Sequence, residues 1–410
     1  MKKYFLFTCT LLLSVTSFTA CVVQPAPIQQ PAVEPSADVE PANSESGVEL
    51  DALKKAAVET YADIVFAGYA DSATLAVALQ EAVQAFVAEP SEETHQAAKD
   101  AWLAAREPYG QTEAFRFYGG PIDDEDGPEG LVNAWPLDEV YVDYVQDNDI
   151  AGIINNPETY ATIDKELLIS LNEAGAEENI STGYHAIEFL LWGQDLMEDG
   201  SGQRSYSDYV DAPNADRRGQ YLIVATDLLV EHLSEIRDAW DPAGGDNYRA
   251  EFLAMNSEEA LQLILTGIGV LSKSELAGER MFTAYDNQDQ EDEHSCFSDN
   301  THRDIITNNQ GIVNVYTGSY TRADGSMVTG TGLDDVAAAL DPELNQQVMA
   351  LLEQSVAQVN QIYVPFDQAI ILPEARPQVL ESVVTLQDQG DKIAEVAGVL
   401  GLTINTSLPE

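Results

Sequence analysis

VELDALKKAAVETYADIVFAGYADS, residues 48–72, is the stretch whose reading decides the fold. Leu50, Leu53, Ala57, Tyr61, Ile64 and Val65 recur at the three- and four-residue spacing of one helix face. The same period returns along the chain. ATLAVALQEAVQAFVAEP (73–90) runs until Pro90, and Ser91 followed by Glu92 and Glu93 then reads as a cap with acids in a first turn. RGQYLIVATDLLVEHLSEIRDAW (218–240) is amphipathic up to the stop at Asp241-Pro242-Ala243-Gly244-Gly245. Asn256 and Glu259 form a capping-box pattern before ALQLILTGIGVL (260–271). Asp341-Pro342 opens a helix through 343–363, and a last one runs from near Pro377 to Leu400. Strand-like alternation is scarce. The expected fold is all-α, built of two helical-bundle domains with a boundary near residues 240–250, a duplication being possible. The expected division of the body is 49–245 and 246–410, with a functional cleft between them.

The N-terminus reads differently. MKKYFLFTCTLLLSVTSFTAC (1–21) has two lysines, an apolar run and small residues before Cys21, the three regions of a secretory signal. The residues before Cys21 resemble a bacterial lipobox with Phe18 where leucine is usual, which implies a signal peptide over 1–20 and a lipidated Cys21. The alternative is ordinary cleavage near Ala20. Residues 21–48, rich in proline, are expected to be a disordered tether. Membrane attachment would then be through lipid alone, in the bacterial cell envelope. Of three cysteines, Cys9 would leave with the signal and Cys21 would carry lipid. Cys296 is left as a small buried residue in a chain without disulfides.

Against 70 acidic residues stand 19 basic ones, a net charge of −51. No basic patch exists to displace counterions, so nucleic-acid binding is excluded. The acidity suits solubility and attracts cations. No C-x-x-C-H, Gly-rich phosphate loop or G-x-S-x-G is present, which removes covalent haem and those hydrolase plans.

Two long polar loops, 111–145 and 290–312, interrupt the helices, and long loops in compact domains are often functional. Between them GYHAIEFLLWGQD (183–195) places His185 and Glu188 one turn apart on an otherwise apolar helix. A buried carboxylate needs a partner or a metal. Imidazole with carboxylate suits ferrous iron, zinc or copper. Four further groups are candidates to complete a sphere across the cleft: Glu113, Glu275, Asp299 and His302. Each also has a plain reading. Arg106, Arg116 and Arg280 would pair with Glu113, Glu275 or Glu279, and Asp299, Asn300 and Thr301 would cap the helix starting near His302. His95 and His232, on amphipathic helices beside acids, read as surface groups.

With these motifs in view, the chain resembles the imelysin family, close to its iron-regulated branch. The resemblance rests on Gly183, His185 and Glu188 in a G-x-H-x-x-E pattern, on EAFRF (113–117), GPID (120–123) and WPLD (135–138), and on SELAGERM (274–281) with EDEHSCFSDNTHRD (291–304). It implies two helical domains with a site between them, export to the cell envelope, and association with iron acquisition alongside an uptake partner. Some members are regarded as metallopeptidases. A zinc peptidase on the H-E-x-x-H plan needs a second histidine at 189, where Phe189 stands. Metal capture is therefore the leading expectation, a metallopeptidase the second, and a metal-free envelope protein binding a peptide or small ligand the third.

Overall fold

The computed structural model describes residues 44–197 and 200–408, with the side chains of 44–46 left aside. The expected signal peptide, Cys21 and most of the expected tether lie outside the described residues. The end of the tether does not: Ser44–Val48 already belong to the first helix. That helix, Ser44–Ala88, merges the two stretches read separately at 48–72 and 73–90. Nothing at the junction breaks it, because Ser72 turns its hydroxyl back onto the Gly68 carbonyl (2.9 Å) and Thr74 does the same to Ala70 (2.7 Å).

Its buried stripe of Tyr61, Ile64, Val65, Leu79 and Phe86 packs against the helices Glu92–Thr112 and Ala215–Ala239. Each such side chain, fully buried, contributes about 1.5–3 kcal/mol. The expected cap at Ser91 forms, with Thr94 closing the box. Later in the chain the helices Pro342–Val359 and Arg376–Val399 pack on one another and on the run from Leu271 to Thr283. Asp341 caps the first of these with Pro342 in its first turn, as expected. The helix Thr301–Thr317 lies against Glu92–Thr112. A short antiparallel hairpin, Ser319–Thr321 with Met327–Thr329, is the one sheet among the described residues.

Two local departures from ordinary helix packing set the positions of the buried charges. Glu92–Thr112 and Thr301–Thr317 cross at glycines: a Cβ on Gly110 would sit 2.0 Å from Thr307 Oγ1, and one on Gly311 would sit 2.3 Å from the Gln111 carbonyl. The helices approach this closely because nothing larger is there. The run Leu271–Thr283 is π-helical, continuing Ser257–Val270. In an α-helix residues five apart point roughly 140° away from each other. The wider turn instead brings Glu275 and Arg280 together, with Arg280 Nε donating to Glu275 Oε1 over 2.9 Å.

A buried ion cluster fastens the loop after residue 139. Asp143 accepts from Arg204 Nη1 (2.6 Å), from Arg218 Nε (2.6 Å) and Nη2 (2.9 Å), and from Asn155 Nδ2 (3.0 Å). All three charged side chains have 2% exposure or less.

Candidate functional site

The helix Gly183–Trp192 is buried along its whole length. Gly183 opens it with φ +78°, and a Cβ there would lie 2.5 Å from the Val132 carbonyl, which explains the glycine of the motif. The carbonyls of its last turn are taken up from outside: His95 Nε2 donates to Leu191 O (2.8 Å), Tyr209 Oη to Leu190 O (2.7 Å) and the Arg204 amide to Trp192 O (2.7 Å). His95 is therefore no surface group. It is buried, stacked on Phe86 at 4.7 Å, and burial holds its imidazole down to about 4. His232 is half-buried rather than exposed.

His185 and Glu188 meet as the spacing predicts, with Nδ1 2.9 Å from Oε2. The other carboxylate oxygen accepts from the amide (2.9 Å) and hydroxyl (2.6 Å) of Ser298 in the second loop. Both oxygens of Glu188 are thus engaged, and the residue orients His185 rather than offering a free ligand atom. The buried Nε2 of His185 has no hydrogen-bond partner. Against this ring, edge to face at 4.7 Å, stands His294, a residue that no spacing in the sequence singles out. His294 repeats the arrangement: its Nδ1 lies 2.9 Å from Asp304 Oδ2. Burial first, then Arg106 for His185 and Arg280 for His294, push both imidazoles down to about 3. Both rings are neutral at ordinary pH. Burial raises Glu188 to about 8, against the Ser298 hydroxyl, so this pair holds its proton near neutrality.

Arg106 links the two halves of the network. It donates to Asp304 Oδ1 (3.0 Å) and to Asn133 Oδ1 (2.5 Å), and Asn133 donates to Glu113 Oε1 (3.3 Å). Burial opposes the charge of Asp304, yet Arg106 and then His294 hold its carboxyl far below the usual range. Glu113 behaves likewise under Arg280 and Arg116, each 2.7 Å from Oε2. Glu275 also binds Arg280. The plain reading of Glu113 and Glu275 as arginine partners is what the structure contains. A cavity of about 150 Å³ opens here, lined by Arg116, Asn133, Trp135, Glu275, Arg280 and His294.

The six candidates are not gathered into one sphere. Among the described residues no three His, Cys, Asp or Glu side chains converge as metal donors. His302 is half-buried and faces the Asp299 carbonyl (Nδ1 3.1 Å). The expected cap of its helix is met in position by Asn300, without a side-chain bond, while Thr301 Oγ1 accepts from the Ser295 amide.

Asp299 belongs to another group, with Asp195 and Glu293. Burial and then Asp195 raise Asp299 to about 7; burial raises Asp195 to about 6; burial and then Glu291 raise Glu139 to about 7. Groups whose folded pKa is raised stabilise fully below their unfolded value and lose that contribution as pH rises through the folded one. Above about pH 6.5 most of the histidines in the unfolded chain are already neutral, so their opposing contribution fades as the pH rises. The melting temperature in metal-free, low-salt buffer is therefore expected to fall between pH 6.5 and 8; a flat or rising profile would contradict these shifts.

Comparison with known proteins decides the family. The model of the family described as Imelysin matches residues 65–393. The chain belongs to the imelysin family. It is 26% identical over 340 residues to an iron-regulated protein A of Synechococcus elongatus, covering 79% of each chain. Two solved structures share the all-α fold. A putative iron-regulated protein A precursor from Parabacteroides distasonis superposes with a TM-score of 0.65 at 19% identity, over 84% of this chain and 95% of that one. An imelysin-like protein from Psychrobacter arcticum gives 0.61 at 14%, over 87% and 98%.

Proposed function

We propose that this imelysin-family protein captures a transition-metal ion, iron first, with zinc and copper as alternatives, on the Nε2 atoms of His185 and His294, and serves iron acquisition at the bacterial cell envelope as a lipoprotein anchored at Cys21. The observation that carries the reading is the buried, partnerless Nε2 of His185 beside a second neutral imidazole. A ligating histidine ordinarily gives its other nitrogen to a carboxylate, which fixes ring and tautomer. Ionised Asp304 stands in that relation to His294, and Glu188 takes it up toward His185 once metal binding displaces the proton it holds near neutrality. Two imidazoles leave the remaining positions of an ion to water or to groups brought with it, which suits a cargo that is released. The name of the Synechococcus relative and the net charge of −51 favour iron and a cation respectively. Glu188 has no free oxygen to serve as a base, so the metallopeptidase reading has less support than capture.

Titration of the purified protein with ferrous ion under anaerobic conditions, and separately with zinc and cupric ions, is expected to give one tight equivalent. His185→Ala and His294→Ala should each abolish it, while Glu188→Gln and Asp304→Asn should weaken it about 10–100-fold. Occupancy should fall on acidification, since protons compete for the same atoms. Wild-type protein that binds none of the three ions refutes the proposal.

A further inference from the structure

A second cavity, of about 340 Å³, opens where the chain leaves the helix Gly183–Trp192, and neither His185 nor His294 lines it. Its wall is largely apolar and includes Tyr144, Gly193, Leu196, Met197 and Arg204. Leu196 and Met197 are 61% and 46% exposed, two adjacent large apolar side chains left in water. Arg204 is the opposite case, with its side chain 2% exposed. Its Nη1 donates to Asp143 (2.6 Å) and lies 3.5 Å from Asp208, and its guanidinium stands against the rings of Tyr144 and Phe189 at 5.1 and 5.3 Å. Its Nε is buried without a hydrogen-bond partner. Gly193, at φ +72°, keeps the approach to that nitrogen clear: a Cβ there would lie 3.4 Å from Nε and 3.1 Å from Arg204 Cβ.

A buried N–H without an acceptor costs free energy, and one on a charged group is answered best by an ionised oxygen. The protein supplies little of that here, because Asp143 divides its carboxylate between Arg204 and Arg218. Lys99 adds a further cation over the Trp192 ring (5.1 Å), and among the described residues it makes no ion pair; burial, and then Arg204, hold its amine down to about 8. Positive groups thus gather at this end of the helix, in a chain whose net charge is −51. An apolar cavity with one or two polar groups aimed into it is the usual form of a small-molecule site. We propose that this cavity binds a small apolar carboxylate, one carboxylate oxygen accepting from Arg204 Nε and the apolar body covering Leu196 and Met197. The site is separate from the imidazole pair and does not depend on metal capture.

The test titrates the full chain, isotope-labelled at its arginines, with sodium octanoate in the low-millimolar range, the strength open to so small a ligand. One equivalent is expected to bind in calorimetry, and the Nε–H resonance of Arg204 should move while those of the other arginines stay close to their places. Octanol, which keeps the chain and lacks the charge, should bind at least about tenfold more weakly. Leu196→Asp changes an exposed side chain, so the variant should fold and melt as wild type does. It places a like charge beside the carboxylate and should weaken octanoate about tenfold or more, whereas Leu196→Asn should weaken it less. His185→Ala should bind octanoate as wild type does, which keeps this result distinct from that of the metal titration. An Arg204 signal that ignores octanoate would overturn the proposal. Equal binding of octanol, or several equivalents moving many arginine signals at once, would do the same by marking plain apolar or surface association.

Discussion

Asp143→Ala is expected to lower the stability of the folded protein by about 3–5 kcal/mol, the cost of breaking a buried ion pair from one side. The expectation belongs at the upper end. Both Arg204 and Arg218 lose their principal carboxylate at once. Arg204 keeps only Asp208 at 3.5 Å, and Arg218 keeps carbonyls of Asp208 and Pro213. Two guanidinium groups cannot shed their charge, so they must drag water in or move out. Asp143→Asn retains the shape and some hydrogen bonds, and should cost less. Chemical denaturation of both variants checks the order. Equal stability of wild type and Asp143→Ala would mean that the cluster contributes nothing net.

Glu113→Ala should be the next most costly change, on the same scale but smaller. Arg280 retains Glu275 at 2.8 Å and Asn308 at 2.7 Å, and Arg116 retains Glu129 at 3.0 Å. The contribution of Glu113 has a pH signature. Its folded pKa is held below the unfolded value, so the stability it gives is present above about pH 4.5 and lost as the pH falls. The gap between wild type and Glu113→Gln should therefore narrow in acid. Metal stoichiometry should not change in either variant, because both arginines already occupy Oε2. Loss of the metal with stability intact would restore Glu113 as a ligand.

These two residues show how far the sequence can be read. Helical periodicity carries the all-α class and most of the helices, since apolar spacing and caps such as Ser91 and Asp341 are local signals. The hairpin at 319–329 escapes such a reading because three-residue strands have no usable alternation. Its Asp324-Gly325 turn is the available clue. His185 with Glu188 is legible because three residues along a helix is a fixed distance. His294 is not, although it stands in the run that identifies the family, because its partner Asp304 and its neighbour His185 are brought up by tertiary packing. Glu275 and Arg280 illustrate a third limit. Five residues apart, they meet only on the π-helical turn, which no periodicity announces.

The glycine crossing has a bearing on selectivity. Arg106 and Asp304 belong to the two helices that cross where Gly311 meets the Gln111 carbonyl and Gly110 meets the Thr307 side chain, so the separation between those charges is held by a close helix contact. Neither residue lines the cavity; Arg106 reaches it through Asn133 and Asp304 through His294, so the crossing fixes the supports of the lining rather than the lining itself. Adaptation of the pocket to a different cargo is left to lining residues that no hydrogen bond ties to the crossing pair, such as Trp135, Glu275 and Arg280. Relatives that handle different cargo are expected to vary there while the crossing stays as it is.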